Sequence, residues 1–467
     1  MLWRQCGKLL YAVRSVFVAF AFIIFGLSAA AQTVDLTLNE ARNVATNALL
    51  GGEPALAEQI AEAILEQLPD DRAALVIIAA AAPGLGDPAK GRRAGARAWA
   101  VSRGDAQKYE AARLTALAAA NEERFTLSTF WLRRALTVAP NDDARAQTLS
   151  DARVVRQRNP WSTQLSFSLA PSSNLNGGAE DEISTAPGNP TGTFSEDALA
   201  LSGWRASLAF GTQYRFQQNA RSRSTVGLQY QISRSKVTDD TSVPDESFDT
   251  SVAELSLRHD RALEAGTITA RLSHSKIDYR DLNRADGTTV GEYYEISRAG
   301  LSRRIPVDDR TFMSFSFDRE IVSYSIADIG DVTRNVIGTG IGHRLESGDL
   351  LRGTFTLTDS EGDNVNYTSQ DKTLGTTYSW AEPIGPITLS LGGGLKWTDY
   401  PSYRIVFPVP GGRKDKIIFA NADIGFPEIS YAGFTPGLRI DAIKTDSNVS
   451  RFDRTTLSVG LTISSQF

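Results

Sequence analysis

Apolar positions along this chain follow two different periods. From about residue 36 to 158 they recur three or four apart in sequence rich in Ala, Leu, Glu and Arg. In ALAEQIAEAILEQLPDD, Leu56, Ile60, Ala63 or Ile64, and Leu68 fall on one helical face, and Pro69 ends the run. The same spacing predicts helices near 72–82, 89–102, 106–120, 125–138 and 142–158. From residue 161 the period becomes two. Trp161, Thr163, Leu165, Phe167 and Leu169 alternate with Ser162, Gln164, Ser166 and Ser168, and GWRASLAFGTQYRF continues with Trp204, Leu208, Phe210, Tyr214 and Phe216 on one face. Asn159 and Pro160 stand at the change, because proline cannot continue a helix and biases its predecessor to extended backbone.

The second half predicts a membrane β-barrel. Its alternating runs are longer than the five or six residues usual in a soluble sandwich and suit tilted spanning strands. Short connections at 217–222, 262–266, 305–310, 346–349, 382–386 and 425–428 alternate with long polar ones at 171–201, 237–248, 280–292, 325–334, 359–369, 401–413 and 445–452. Six short turns and seven long loops imply fourteen strands, with short inner turns and long outer loops. In the final run, RTTLSVGLTISSQF, Leu457, Val459, Leu461, Ile463 and Phe467 share a register, and Leu461, Ile463 and Phe467 resemble the insertion signal read by bacterial barrel-assembly machinery. The expected organisation is a signal peptide over 1–31, a periplasmic helical domain over 32–158 and an outer-membrane barrel over 159–467. The fold class is α + β: helical repeats, then a 14-stranded antiparallel transmembrane barrel.

In the helical half, QLPDDRAAL at 67–75 recurs in outline as VAPNDDARA at 138–146. The separation is about two tetratricopeptide periods of roughly 34 residues, which predicts about three degenerate repeats of that type.

Composition adds a compartment. Arg4, Lys8 and Arg14 precede a short apolar run, and Ala29, Ala30 and Ala31 resemble a cleavage site. Cleavage there lowers the formal net charge from −5 to −8, since three basic and no acidic residues leave. No basic footprint for nucleic acid results. Cys6 is the only cysteine, so the mature chain holds neither disulfides nor thiolate chemistry.

Candidate chemistry is sparse. His259, His274 and His343 lie in predicted strands as lumen-facing or interfacial polar groups. Adjacent pairs such as Ser273 with His274 point to opposite faces and cannot act together. The paired carboxylates Asp70 with Asp71, Asp142 with Asp143, Asp239 with Asp240, and Asp308 with Asp309 read as turn or cap residues. DSEGDNVN at 359–366 lacks the closing Glu of a calcium loop. No catalytic residue, cofactor or metal is expected. Arg92, Arg93 and Arg97 offer a possible client or partner docking face on one helix. Arg205, Arg215, Arg258, Arg271, Arg303, Arg352 and Arg439 are expected in the lumen.

Repeat helices followed by a barrel that begins NPW and leaves its first strand through LAPSSNLNGG resemble the surface lipoprotein assembly modifier family. The motif residues are Asn159, Pro160, Trp161, Pro171, Ser172, Ser173, Asn174 and Asn176. The resemblance implies a translocator: periplasmic helices engage a client lipoprotein or secreted protein, and a monomeric barrel among outer-membrane lipids moves it to the cell surface. Pairing of the first and last strands, Trp161 to Leu169 with Leu457 to Phe467, closes such a cylinder and is the expected seam. The alternatives are a passive porin with a periplasmic docking domain and a barrel hydrolase using one of the histidines.

Overall fold

A computed structural model describes residues 36–283, 288–429, 431 and 433–465. The expected signal peptide and Phe467 lie outside these residues. They form two compact units that divide between Val101 and Ser102.

The first unit holds α1 (Leu38–Leu50), α2 (Pro54–Gln67), α3 (Arg72–Ala81) and α4 (Pro88–Val101). Consecutive helices pack against one another around Leu75, Ile77 and Ile78, with alanines at the close approaches. Asp71 caps α3, accepting from the Ala74 N–H at 3.0 Å, and it also pairs with Arg42 of α1. In the second unit Asn141 repeats the device, accepting from the Ala144 N–H at 2.8 Å. The recurrence of QLPDDRAAL and VAPNDDARA is therefore a recurrence of cap chemistry.

Burial pulls the Asp71 carboxyl upward, but the Arg42 guanidinium and the helix N–H groups outweigh it and hold the carboxyl below its ordinary value. A depressed carboxylate stabilises the fold fully above its unfolded value of 3.8 and loses that contribution as pH falls through the lower folded value. Asp71→Ala is expected to cost about 2 kcal/mol, the sum of a lost cap and a charged hydrogen bond. Far-ultraviolet circular dichroism on warming checks this, and the deficit should vanish in strong acid.

The second unit begins with α5 (Asp105–Asn121), α6 (Phe125–Thr137) and α7 (Asp142–Arg158). Fourteen strands follow: β1 (Trp161–Ser172), β2 (Gly203–Gln218), β3 (Ser222–Val237), β4 (Thr250–Leu263), β5 (Gly266–Asn283), β6 (Thr288–Pro306), β7 (Thr311–Tyr324), β8 (Asp331–Arg344), β9 (Leu350–Gly362), β10 (Ser369–Ser379), β11 (Thr388–Tyr400), β12 (Arg413–Gly425), β13 (Phe434–Ser447) and β14 (Arg454–Ser465). Each pairs antiparallel with its sequence neighbours, and β1 pairs with β14 to close the barrel.

Closure pairs the two end strands, so along most of the wall the ladder satisfies the backbone without water. On one parity of the strands, Leu165, Phe167, Leu208, Phe210, Leu255, Leu272, Leu301, Phe317, Ile337, Leu374 and Leu461 are large, apolar and exposed. The other parity carries Ser, Thr, Gln and paired charges, such as Arg298 with Glu320 at 2.6 Å and Lys396 with Asp371 at 3.1 Å. An apolar outside around a polar inside is the arrangement of a membrane-spanning barrel.

Three expectations need correction. The connection placed at 280–292 is mostly ladder, with Arg280 opposite Gly291 and Asn283 opposite Thr288. Strand pairing needs no apolar side chains, so it continues beyond the apolar band. Pro171 and Ser172 belong to β1, opposite Trp204 and Gly203, rather than to the first loop. Arg303 lies opposite Phe315 on the outer parity, and Arg304 is the inward residue, 3.6 Å from the Phe312 ring centre.

Candidate functional site: the junction, the closing seam and the first loop

The helix-to-strand junction is built from both sides. Asn159 ends α7, its N–H donating to the Val155 carbonyl at 2.8 Å while its side-chain oxygen accepts from the Trp161 N–H at 3.0 Å. One residue thus closes the last helical turn and aims the first strand. From the wall, Arg215 of β2 donates to the carbonyls of Gln157, Arg158 and Asn159 at 3.0, 3.1 and 3.0 Å. These include carbonyls that a helix leaves unsatisfied at its end, and a cation is favoured there by the helix dipole. The Arg215 N–H also donates to the Pro160 carbonyl at 2.8 Å. Trp161 packs on Tyr214, ring centres 4.7 Å apart, both on the outer face. A second tie is Arg133 of α6, 4.7 Å from the Phe434 ring centre at the start of β13.

The two edges of β1 differ. Toward β2 all twelve of its residues have register partners, from Trp161 opposite Tyr214 to Ser172 opposite Gly203. Toward β14 there are four: Phe167 with Ile463, Ser168 with Thr462, Leu169 with Leu461 and Ser172 with Ser458. Ala170 and Pro171 are skipped, and proline has no N–H to give a ladder. Among the described residues, Trp161, Ser162, Thr163, Gln164, Leu165 and Ser166 have no partner on β14. Leu461 and Ile463 of the expected insertion signal therefore line this seam and face outward with Leu169 and Phe167.

At its long-loop end the same seam is bound firmly. Ser173 donates its N–H to the Leu457 carbonyl at 3.1 Å, and its hydroxyl accepts from the Leu457 N–H at 3.0 Å. Arg454 and Arg451 donate to the Gly177 carbonyl at 2.7 and 3.2 Å. The Glu180 N–H reaches the Asp453 carbonyl at 3.2 Å, and Ser450 bonds Thr185 and Ile183.

The remaining motif residues shape the loop that supplies these bonds. The Asn174 side chain donates to the Gly178 carbonyl and accepts from its N–H, at 2.9 and 2.8 Å. Asn176 donates to the carbonyls of Asp197 and Leu199 at 2.9 and 2.6 Å and accepts from the Leu201 N–H at 3.1 Å. The two glycines are sterically required. Gly177 has φ of +62°, and a Cβ on Gly178 would lie 2.1 Å from the Leu199 carbonyl oxygen. A small apolar cluster of Leu175, Leu201, Val237 and Val243 seats the loop base against β3 and its following connection. The far end reaches the β11–β12 connection, where the Phe407 N–H donates to Asn189 at 2.9 Å.

Inside the short-turn end lies a cavity of about 1030 Å³ lined by Asn159, Arg215, Arg223, Arg258, Arg271 and Glu254 among others. Three of its cations are paired with carboxylates, Arg223 and Arg258 with Asp260 at 2.9 and 2.8 Å and Arg271 with Glu254 at 2.6 Å, while Arg215 bonds backbone carbonyls.

Cross-strand register places a hydroxyl against each histidine, at distances of 2.8 Å for Ser224 with His259, 3.0 Å for Ser297 with His274, and 2.9 Å for Thr311 with His343. Considering adjacent residues alone missed these pairs. His274 shares the outer parity of Leu255 and Leu272, not the lumen.

In the first unit, Arg97 donates to the Pro69 carbonyl at 2.5 Å and reaches Asp70 at 3.4 Å, so it braces the α2–α3 connection. Arg93 is exposed and Arg92 half-buried on α4.

Two groups of residues escaped sequence reasoning. Arg215 appeared only as a lumen arginine, and Arg451 and Arg454 not at all. An arginine that caps a helix from another element carries no local pattern.

Junction, seam and folded loop define a class: a fourteen-stranded membrane-spanning barrel with a helical lead-in clamped to its wall. A scan against protein-family models finds no match, and neither does a search of curated proteins. Solved structures that resemble the chain include the TodX monoaromatic hydrocarbon channel deltaS2 mutant, 10% identical over 71% of this chain and 92% of that one, with a TM-score of 0.37. The Ralstonia pickettii toluene transporter TbuX is 10% identical over 65% and 89%, TM-score 0.32. A BenF-like porin from Pseudomonas fluorescens Pf-5 is 9% identical over 65% and 98%, TM-score 0.35. Likenesses of this size carry no argument about what this barrel passes.

Proposed function

We propose that this protein sits in a bacterial outer membrane, short turns and helices on the periplasmic side, and helps client proteins reach the cell surface through the β1–β14 seam. The observation that carries this is the asymmetry of β1, with twelve register partners on one edge and, among the described residues, four on the other. The thin inner half of the seam adjoins the point where α7 runs into β1, so a client held by the helices would meet the weakest stretch of wall. Because the outer half is stapled by the first loop, opening starts at the inner end. The resemblance to surface lipoprotein assembly modifiers, with tetratricopeptide-type helices engaging a lipoprotein or secreted client, agrees with this route.

The arginine-lined cavity favours a second reading, a passive pore preferring anions. Quantitative surface proteomics with and without the protein separates the two. One or a few lipoproteins or secreted proteins should lose surface exposure and accumulate inside. Unchanged surface display together with steady conductance in planar bilayers would establish the pore instead.

A further inference from the structure

We infer that the outer wall of β10–β12 binds the phosphate of a glycolipid headgroup in the outward leaflet. Lys372, Trp397 and Lys416 are consecutive register partners on β10, β11 and β12, all exposed and all on the lipid-facing parity. Adjacent strands lie about 4.8 Å apart, so the two lysines stand about 10 Å apart with the indole between them. Both ammonium groups can reach one phosphate placed over that ring.

The depth is right for a headgroup. One step toward the short turns on the same face are Leu374, Leu395 and Ile418, where the apolar band begins. One step outward are Gln370, Asp399 and Lys414. Tryptophan is favoured at that boundary, apolar body toward the chains and N–H toward the polar layer.

What sets these two lysines apart is the lack of a carboxylate together with their place on either side of Trp397. Several rim cations have a carboxylate: Arg234 with Asp249 at 3.4 Å, Lys236 with Asp245 at 2.7 Å, Lys276 with Asp278 at 3.1 Å, and Lys444 with Asp446 at 3.4 Å. Asp446 is the register neighbour of Lys416, but Lys444 holds it. Among the described residues, neither Lys372 nor Lys416 has a carboxylate partner. Unneutralised cations at the edge of a low-dielectric band are completed by an external anion, and a lipid phosphate is the anion present at that depth.

The inference rests on the membrane orientation proposed above and not on client passage. Fractionation of the full-length protein tests the membrane itself, and protease accessibility of the long loops in whole cells tests the orientation. For the site, the full-length barrel in neutral detergent is titrated with bisphosphorylated lipid A, dephosphorylated lipid A and phosphatidylglycerol, and bound lipid is read by native mass spectrometry. Bisphosphorylated lipid A should bind best. A lysine near an anionic membrane surface contributes about 1 kcal/mol, so Lys372→Ala with Lys416→Ala should weaken binding about thirtyfold. The double arginine variant should retain binding, and Lys276→Ala should leave it unchanged. Equal binding of dephosphorylated lipid A, equal loss in Lys276→Ala, or tighter binding of phosphatidylglycerol would each overturn the assignment. The retained heat-dependent gel shift of a folded barrel shows that the variants are intact.

Discussion

A disulfide between Ser168→Cys and Thr462→Cys is expected to abolish the proposed surface delivery of a client, with recovery on adding reductant. The two residues are register partners at the seam and share the lumen parity. Opposite residues in an antiparallel ladder have Cα atoms about 4.5–5.5 Å apart, within the range a disulfide spans. Beyond the expected signal peptide the chain has no cysteine of its own, so the bond is unambiguous. The control uses the other edge of the same residue. Ser168 is also the partner of Ser207 on β2, and Ser168→Cys with Ser207→Cys crosslinks a ladder that need not open. Delivery should survive there. If both crosslinks leave delivery intact, the client does not leave through this seam. If both abolish it, general rigidity and not seam opening is responsible. The protease accessibility of the client in whole cells is the measurement.

The largest stability effect is expected from Arg413→Ala at the outer mouth. Arg413 is buried, donates Nε to both oxygens of Asp415 at 3.0 and 3.1 Å, and brings Nη2 to 2.5 Å. Its guanidinium lies 3.2 Å from the Phe452 ring centre, 4.3 Å from Tyr400 and 5.3 Å from Tyr403. It therefore joins the β11–β12 connection to the β13–β14 connection, the two that the first loop also grips. Removing it leaves the buried Asp415 carboxylate with the Ser447 hydroxyl, 2.7 Å away, as its side-chain donor among the described residues. Breaking a buried pair from one side costs about 3–5 kcal/mol. Proteolysis within 401–412 and 448–453 should accelerate, and the barrel should lose its heat-dependent gel shift at a lower temperature. Arg413→Lys should fall between, since it keeps charge but loses the fork and the stacking. An unchanged cleavage pattern would mean that the aromatic side chains hold these loops without the cation.

Both experiments depend on features that were legible to different degrees. Alternation through Trp161, Leu165 and Phe167, the helical spacing around Ile60 and Ile64, and the alternating connection lengths were enough for the element types, the strand number and the closing partners. A period of two or 3.6 is a local consequence of which face meets an apolar surroundings, so it survives in the sequence. The same rule could not tell Arg303 from Arg304. Neighbouring arginines offer the same residue type to either parity, and only the register with Phe315 and Ser314 assigns them. It also placed the loop at 280–292 too generously, because polar residues pair as readily as apolar ones once outside the band. The motif PSSNLNGG was visible as an order of residues. That Asn174 and Asn176 serve the loop's own backbone, while Gly177 receives two arginines from across the seam, depends on residues nearly 280 positions away.

The chain by itself determined where helix gives way to strand, how many strands there are and which side of each is greasy, since each follows from side chains within a few residues. Only the tertiary structure decided which edge of β1 has fewer register partners among the described residues, which arginine caps α7, and which lysines flank Trp397 on the lipid-facing side. Those properties belong to pairs on different strands, and their energy is set by who stands opposite whom.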